Sequence, residues 1–271
     1  MSRKLKPFVL PGQSAHDLAG PFFLRTLYEH GGYYECPTLE DDTIVGKLVQ
    51  YAGSYEPGPG QPKERFVGLQ YCNLAKLESD PIAYAIFINI LADNIRRKFA
   101  ANGRGQYFPN RVLAAPFGGM AMSTWLSSAL CIDYAFSEKK VTKVGEGGDR
   151  DQTIQVMGRH EIHEGDVVLI GEDVFNNGST ADEMRQLVEK NPATVVAIVC
   201  ILNRSWPHVT DWKGIPIIAA ADIPMIQFCR DEPKVAEAIE RDRLELKPKD
   251  HWAQLMDYMN NAERWASCEQ G

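Results

Sequence analysis

Val167-Val-Leu-Ile-Gly-Glu-Asp-Val-Phe-Asn-Asn-Gly-Ser-Thr180 decides how this chain is read. It opens on a short apolar run, which predicts a buried strand from Asp166 to Ile170. Adjacent carboxylates, Glu172 and Asp173, follow at the C-terminal end of that strand. A turn of Asn, Gly, Ser and Thr then enters the helical spacing of Thr180 to Lys190. Open α/β sheets bind ligands at this edge. Free backbone N–H groups at a helix N-terminus attract anions, and Ser179 and Thr180 add hydroxyl donors. Paired carboxylates repel a phosphate unless they accept hydrogen bonds from sugar hydroxyls or act through Mg2+. A plain strand-turn-helix with a capping residue uses the same residue types. The order of apolar strand, acidic pair and small-residue turn is what points to a sugar phosphate.

The flanking sequence predicts the rest of the architecture. Asp80 to Phe99 has helical spacing, with Pro81 at the first position, Ile82, Ile86, Ile90 and Leu91 on one face, and Arg96, Arg97 and Lys98 in the last turn. Arg111 to Ala115 predicts a strand, Met120 to Leu130 a helix and Cys131 to Phe136 a strand. Residues 137–165 are charged and Gly-rich without a sustained period and read as a long loop. Thr194 to Leu202 and Ile215 to Ala219 predict further strands. Short apolar runs alternating with helices indicate an α/β fold, a parallel sheet flanked by helices. Toward the N-terminus a short helix near Ala19 to His30 precedes Ser54 to Pro62, whose Pro and Gly density reads as loop. The expected division is 1–79, an 80–225 core, and a helical C-terminal extension over 226–271 with Trp252 and Trp265 as docking anchors.

Bulk properties exclude several function classes. The 271 residues are 44% hydrophobic and 24% charged, an ordinary globular composition that argues against disorder. A net charge of -7 speaks against sequence-independent nucleic-acid binding and against anionic membranes. The longest nearly apolar run, Ala193 to Leu202, is too short to span a bilayer, and no apolar run follows the charged N-terminus as in a secretory leader. The six cysteines are scattered without a C-x-x-C pair, so reduced thiols and a cytoplasmic location are expected, with Cys200 in the core.

The acidic pair and its turn resemble the phosphoribosyl-pyrophosphate motif of type I phosphoribosyltransferases. The resemblance implies that Glu172 and Asp173 hold the ribose hydroxyls and that Asn176, Asn177, Gly178, Ser179 and Thr180 wrap the 5-phosphate. Asn176 and Asn177 stand where Thr, Ala or Asp is usual. Asn tolerates left-handed turn geometry, but the Asp that purine-salvage members carry here as a base is missing. Ala114-Ala-Pro-Phe-Gly-Gly-Met120 resembles the pyrophosphate loop of the orotate enzymes, which assigns pyrophosphate to Phe117, Gly118 and Gly119. Gln70-Tyr-Cys-Asn73 is similar to those enzymes' Tyr-Phe-Phe-Asn segment, with Lys63 eight residues before Tyr71, and Leu202-Asn-Arg204 stands where the family has Asp-Arg. Lys63, Tyr71, Cys72 and Arg204 are thereby implied to contact the base, residues 1–79 to form a hood, and the guanidinium to suit a base bearing a carboxylate.

One segment departs from the family. Phe136 to Gly148 aligns without gaps on the orotate enzymes' catalytic loop, matching at Lys139, Gly145, Glu146, Gly147 and Gly148. Glu138, Thr142 and Val144 replace the expected Arg, Lys and His, and the neighbouring Lys140 and Lys143 compensate if the register shifts. Lys139, Lys143 and Asp173 are the implied catalytic residues. In the family this loop closes over the neighbouring subunit's site, so a homodimer is implied. So is Mg2+, held mainly through the diphosphate and water and not directly by protein ligands. The expected reaction moves a 5-phosphoribosyl group from phosphoribosyl pyrophosphate to a pyrimidine, orotate first. A transferase for another nucleobase and a non-catalytic phosphoribosyl-pyrophosphate-binding module remain open beside it. Arg159-His-Glu-Ile-His163 reads as a solvated loop or hairpin, since no third ligand or helix accompanies the histidines. Asn203-Arg-Ser205 matches a glycosylation sequon without consequence for a cytosolic chain.

Overall fold

The alternation of apolar runs and helices becomes a parallel sheet in the structure, a computed structural model that describes residues 4–6, 19–100, 108–143 and 152–268. In chain order the elements begin with α1 (Ala19–Glu29), β1 (Tyr33–Glu35), β2 (Leu48–Tyr55), β3 (Glu64–Gly68), β4 (Gln70–Cys72), α2 (Ala75–Glu78) and α3 (Pro81–Ala100). Next come β5 (Arg111–Ala114), α4 (Gly118–Leu130), β6 (Asp133–Phe136), β7 (Glu138–Lys143), β8 (Gln152–Val156), β9 (Val167–Phe175) and α5 (Ser179–Val188). The chain continues through β10 (Thr194–Asn203), β11 (Asp211–Trp212) and β12 (Ile215–Asp222) to α6 (Pro233–Glu240), β13 (Leu244–Glu245), α7 (Trp252–Asn260) and α8 (Ala262–Cys268). Two compact units result, Met1–Asp80 with Met225–Gly271, and Pro81–Pro224.

The second unit is built on a sheet of order β11-β12-β10-β9-β5-β6, parallel throughout except for the short antiparallel edge strand β11. Val168, Leu169 and Ile170 of β9 and Ala197 to Leu202 of β10 are almost inaccessible, as both faces of a covered parallel sheet require. Each fully buried Val, Leu or Ile contributes ~1.5–3 kcal/mol. Cys200 belongs to this core, and Cys36, Cys72, Cys131, Cys200 and Cys229 carry free thiols.

In the first unit, β2 and β3 form an antiparallel pair with β13 alongside β2, and β1 pairs with β4. The C-terminal helices pack here. Trp252 is buried among Tyr34, Leu48 and Val235, and its indole N–H donates to the Gly31 carbonyl at 2.9 Å. Trp265 packs against Leu39 and Val45.

The structure corrects four readings. First, β9 runs on to Phe175, because Val174 and Phe175 continue the ladder with Leu202 and Asn203 of β10. Glu172 and Asp173 therefore lie within the strand. Second, residues 137–165 are not a continuous loop: β7 and β8 form an antiparallel ladder from Glu138↔Val156 to Lys143↔Gln152. Val141 and Ile154 of that hairpin are about half exposed, so no apolar face turns inward to leave a period in the sequence. Third, α3 buries Tyr84, Phe87, Ile88, Leu91 and Ile95, while Ile82 is 77% exposed and Ile86 41%. The aromatic rings bury more apolar area than the isoleucines and choose the inward face. Fourth, β2 extends through Ser54 and Tyr55, which pair with Arg65 and Glu64 and shorten the Pro/Gly loop.

Candidate functional site

Successive side chains on a strand point to opposite faces, and β9 uses this to separate its carboxylates. Glu172 faces α5, where it accepts the backbone N–H of Ala181. It is buried, and its Oε1 has no hydrogen-bond partner. Burial, reinforced by the neighbouring Asp173 charge, pushes its carboxyl up to about 8. Asp173 faces α4, half-buried, and its Oδ1 accepts the Val174 N–H at 3.0 Å.

Each carboxylate thus meets the start of a helix. At α4 the approach is so close that a β-carbon on Gly118 would stand 2.5 Å from Asp173 Cγ, and one on Gly119 would collide with the Gly171 carbonyl oxygen. At α5, Gly178 is the N-cap residue, with φ +70°, a left-handed conformation that glycine adopts without strain. Asn177 Oδ1 accepts the Ser179 hydroxyl at 3.0 Å and fixes the turn before the helix. Phe117, the N-cap residue of α4, makes no side-chain bond to its helix, whereas at α5 Asn177 Oδ1 accepts the Ser179 N–H at 3.4 Å and Glu172 the Ala181 N–H. Their leading N–H groups and positive dipole ends suit an anion at each, on opposite sides of the acidic pair.

Gly178 and the exposed Ser179 with half-buried Thr180 sit in the α5 turn, and Phe117, 81% exposed, stands just ahead of Gly118. Asn176 is half-buried beside them. Arg204 is buried at the end of β10, where its N–H donates to the Phe175 carbonyl. These residues belong to the second unit. Lys63, Tyr71 and Cys72 belong to the first: Lys63 is exposed and 3.9 Å from Glu56, Tyr71 packs on Trp252, and Cys72 is buried opposite Tyr33. Lys139 and Lys140 are exposed on β7; the side chain of Lys143, and residues 144–151 with the Gly-Glu-Gly-Gly motif, lie outside the described residues.

Two neighbouring motifs gain detail from their contacts. Arg159 to His163 is a loop with Arg159, Glu161 and His163 exposed, and within it the half-buried His160 ring packs edge-on against Phe136 at 4.7 Å and Tyr134 at 5.8 Å. Asn203 is fully buried and donates to the Val209 carbonyl and to Asp222, so the sequon is a structural turn. Among the described residues no group of three or more His, Cys, Asp or Glu side chains is placed to hold a metal ion, and no helix is long and apolar enough to cross a membrane.

Sequence reasoning missed Trp212 and Lys213. Trp212 packs edge-on against Phe175 and lies over Gly178, while Lys213 pairs with Asp182 in the first turn of α5 at 2.9 Å. Asp211-Trp-Lys-Gly-Ile215, with its Lys-Gly turn between strand residues, held a hairpin signal, but nothing local told where the hairpin would lie.

No protein-family profile matches the chain. Curated proteins do match in part. A protein from Bartonella bacilliformis is 31% identical over 83 residues, 31% of this chain and 42% of the relative. One from Nitratiruptor sp. is 28% identical over 134 residues, 49% of this chain and 58% of the relative. Both are orotate phosphoribosyltransferases. The sequence likeness is thus to the phosphoribosyltransferases, and the chain spans about half the length of these relatives. Solved structures with partial overlap include the orotate phosphoribosyltransferase of Aeropyrum pernix (14% identity, 81% of this chain and 98% of that one, TM-score 0.44) and the adenine phosphoribosyltransferase of Thermoanaerobacter pseudethanolicus (17%, 63% and 95%, TM-score 0.42).

Proposed function

We propose that this protein is a Mg2+-dependent phosphoribosyltransferase that uses phosphoribosyl pyrophosphate and a pyrimidine base, orotate first. The observation that carries the proposal is the strand β9 with one acidic side chain on each face, each beside the start of a helix. A sugar bearing a phosphate at one end and a diphosphate at the other needs that arrangement: anion sites at both ends and acceptors for hydroxyls between them. In this reading Glu172 and Asp173 hold the ribose, Asn176 to Thr180 the 5-phosphate, and Phe117 to Gly119 the pyrophosphate. The orphaned Glu172 Oε1 is an acceptor in want of a donor, which a ribose hydroxyl supplies.

The site's acidic side chains offer only oxygen ligands, and these fit Mg2+, a hard cation that keeps water and substrate phosphate in its shell. In this reading Asp173 meets such an ion through water, and the bound ion would neutralise diphosphate charge. Arg204, at the end of β10, favours an anionic base, in line with the orotate enzymes among the relatives. The reading also takes in a homodimer, which sedimentation would test, and a reducing, cytoplasmic setting that suits the free thiols.

A second reading, a phosphoribosyl-pyrophosphate-binding module without turnover, is favoured by one observation. The hairpin presents Glu138, 4.0 Å from Arg159, where the family places a cation. Pyrophosphate release assayed with orotate, uracil, adenine and hypoxanthine decides between them. Release with orotate alone is the expected result. Release with adenine or hypoxanthine instead overturns the base and leaves the transferase, and binding without release with any base favours the module.

A further inference from the structure

A hairpin from the edge of the sheet reaches the turn assigned to the 5-phosphate. β11 and β12 are joined by Lys213 and Gly214, with Trp212 paired to Ile215 and positive φ at both turn residues (52° and 83°), the two-residue turn that matches the twist of a strand pair. This rigid tip places two side chains on the start of α5. The Trp212 indole lies over Gly178 so closely that a β-carbon there would be 2.6 Å from Cδ2 and 2.7 Å from Nε1. Its other contacts hold it in place: Phe175, the last residue of β9, meets the indole edge-on at 6.2 Å, and the Lys213 ammonium lies 5.6 Å from the ring centroid. Lys213 also bonds Asp182 at 2.9 Å, and that cation holds the Asp182 carboxyl below its ordinary range. The indole N–H is buried with no hydrogen-bond partner. A buried donor without an acceptor is retained against a cost, so packing on the turn, and not hydrogen bonding, is what keeps the indole there.

We infer that Trp212 is a positioning residue for the 5-phosphate: its indole wedges the turn at Gly178 into the left-handed shape that aims the α5 N–H groups at the anion, with Lys213 fastening the hairpin to the helix. The inference rests on the proposed 5-phosphate site. It explains why position 178 is closed to any side chain on two separate grounds, the positive φ and the indole. The nearest atoms to Gly118 and Gly119 belong to β9, so the wedge acts on one anion site and not on the other.

The test is calorimetry of the full chain with ribose 5-phosphate and, separately, inorganic pyrophosphate with Mg2+. Trp212→Ala is expected to weaken ribose 5-phosphate at least about tenfold, the equivalent of ~1.4 kcal/mol, and to leave pyrophosphate affinity unchanged. Trp212→Phe, which keeps an aromatic wedge, should recover most of the loss. Gly178→Ala should be coupled to Trp212: the alanine removes ribose 5-phosphate binding in the wild type, and costs distinctly less on the Trp212→Ala background because only the backbone strain remains. Equal ribose 5-phosphate affinity in wild type and Trp212→Ala overturns the inference, as do equal losses of both ligands or strictly additive Gly178 and Trp212 effects. Should Trp212→Ala fail to fold, Trp212→Leu and Trp212→Phe carry the comparison, with Leu expected to behave as Ala. If the wild type binds no ribose 5-phosphate, the 5-phosphate site itself is wrong and the wedge falls with it.

Discussion

The turn after β9 and the hairpin β7–β8 are both short and polar, yet they are held in opposite ways. The turn is fixed from every side: the β9–β10 ladder runs up to it, Asn177 bonds Ser179, Glu172 bonds Ala181, and Trp212 covers Gly178. The hairpin has its own ladder but turns Val141, Ile154, Lys139 and Lys140 outward. Among the described residues, it is anchored inward at the buried Gln155, which accepts the Ser137 hydroxyl at 2.9 Å. In a transferase that difference separates tasks. A preformed turn lowers the cost of binding, whereas a loop that acts on charge developing as pyrophosphate leaves must move and carry cations.

The largest effect expected on the turn side is a pH dependence written by Glu172. Its carboxyl is raised from 4.5 to about 8, first by burial and then by Asp173. The folded protein therefore keeps a proton that the unfolded chain releases. Stability falls as pH rises through that window, then levels off above it. The whole loss across the window is at most ~5 kcal/mol. Thermal melts from pH 5 to 9 should show Glu172→Gln gaining on the wild type progressively across the window. Parallel curves for the two proteins would mean that Glu172 is charged and satisfied in the fold, and the comparison would lose its buried half.

On the hairpin side the expected effect is on rate. Glu138→Arg, Thr142→Lys and Val144→His, combined, should raise turnover with orotate by ~10²-fold if each restored donor acts as oxyanion-type donors do and their effects overlap. The affinity for phosphoribosyl pyrophosphate should stay within about twofold, because losses confined to the transition state leave binding intact. Steady-state kinetics beside calorimetry reads both. A change in affinity without a change in rate would reverse the assignment of tasks.

The smallest effect is predicted for Lys139→Ala and Lys140→Ala. As exposed surface positions they should shift stability by no more than ~0.5 kcal/mol in thermal melts, while Lys139→Ala lowers turnover. If Lys139→Ala leaves turnover unchanged, the cation that meets pyrophosphate lies elsewhere in the hairpin.

The same contrast accounts for what the sequence made legible. The β9 run, its acidic pair and the Gly-Ser-Thr turn could be read because burial demands unbroken apolar residues and a phosphate-type turn demands small ones. The hairpin could not: an outward-facing ladder is held by backbone hydrogen bonds, which any residues supply. The inward face of α3 was misread because Ile82 and Ile86 fit the helical period as well as Tyr84 and Phe87 do, and ring area, not period, chose between them. Trp212 was invisible for another reason. Its contact with Gly178 is made through a strand that returns from beyond β10, and no spacing within the turn reports it.

Calorimetric titration of phosphoribosyl pyrophosphate with and without Mg2+, on the wild type and on Asp173→Asn, tests the central claim most directly. Hydrogen bonds to charged groups contribute ~1.5–3 kcal/mol each, so Asp173→Asn should weaken Mg2+-dependent binding by roughly 10- to 100-fold. Equal affinity in the two proteins, or no binding by the wild type, contradicts a phosphoribosyl-pyrophosphate site on β9.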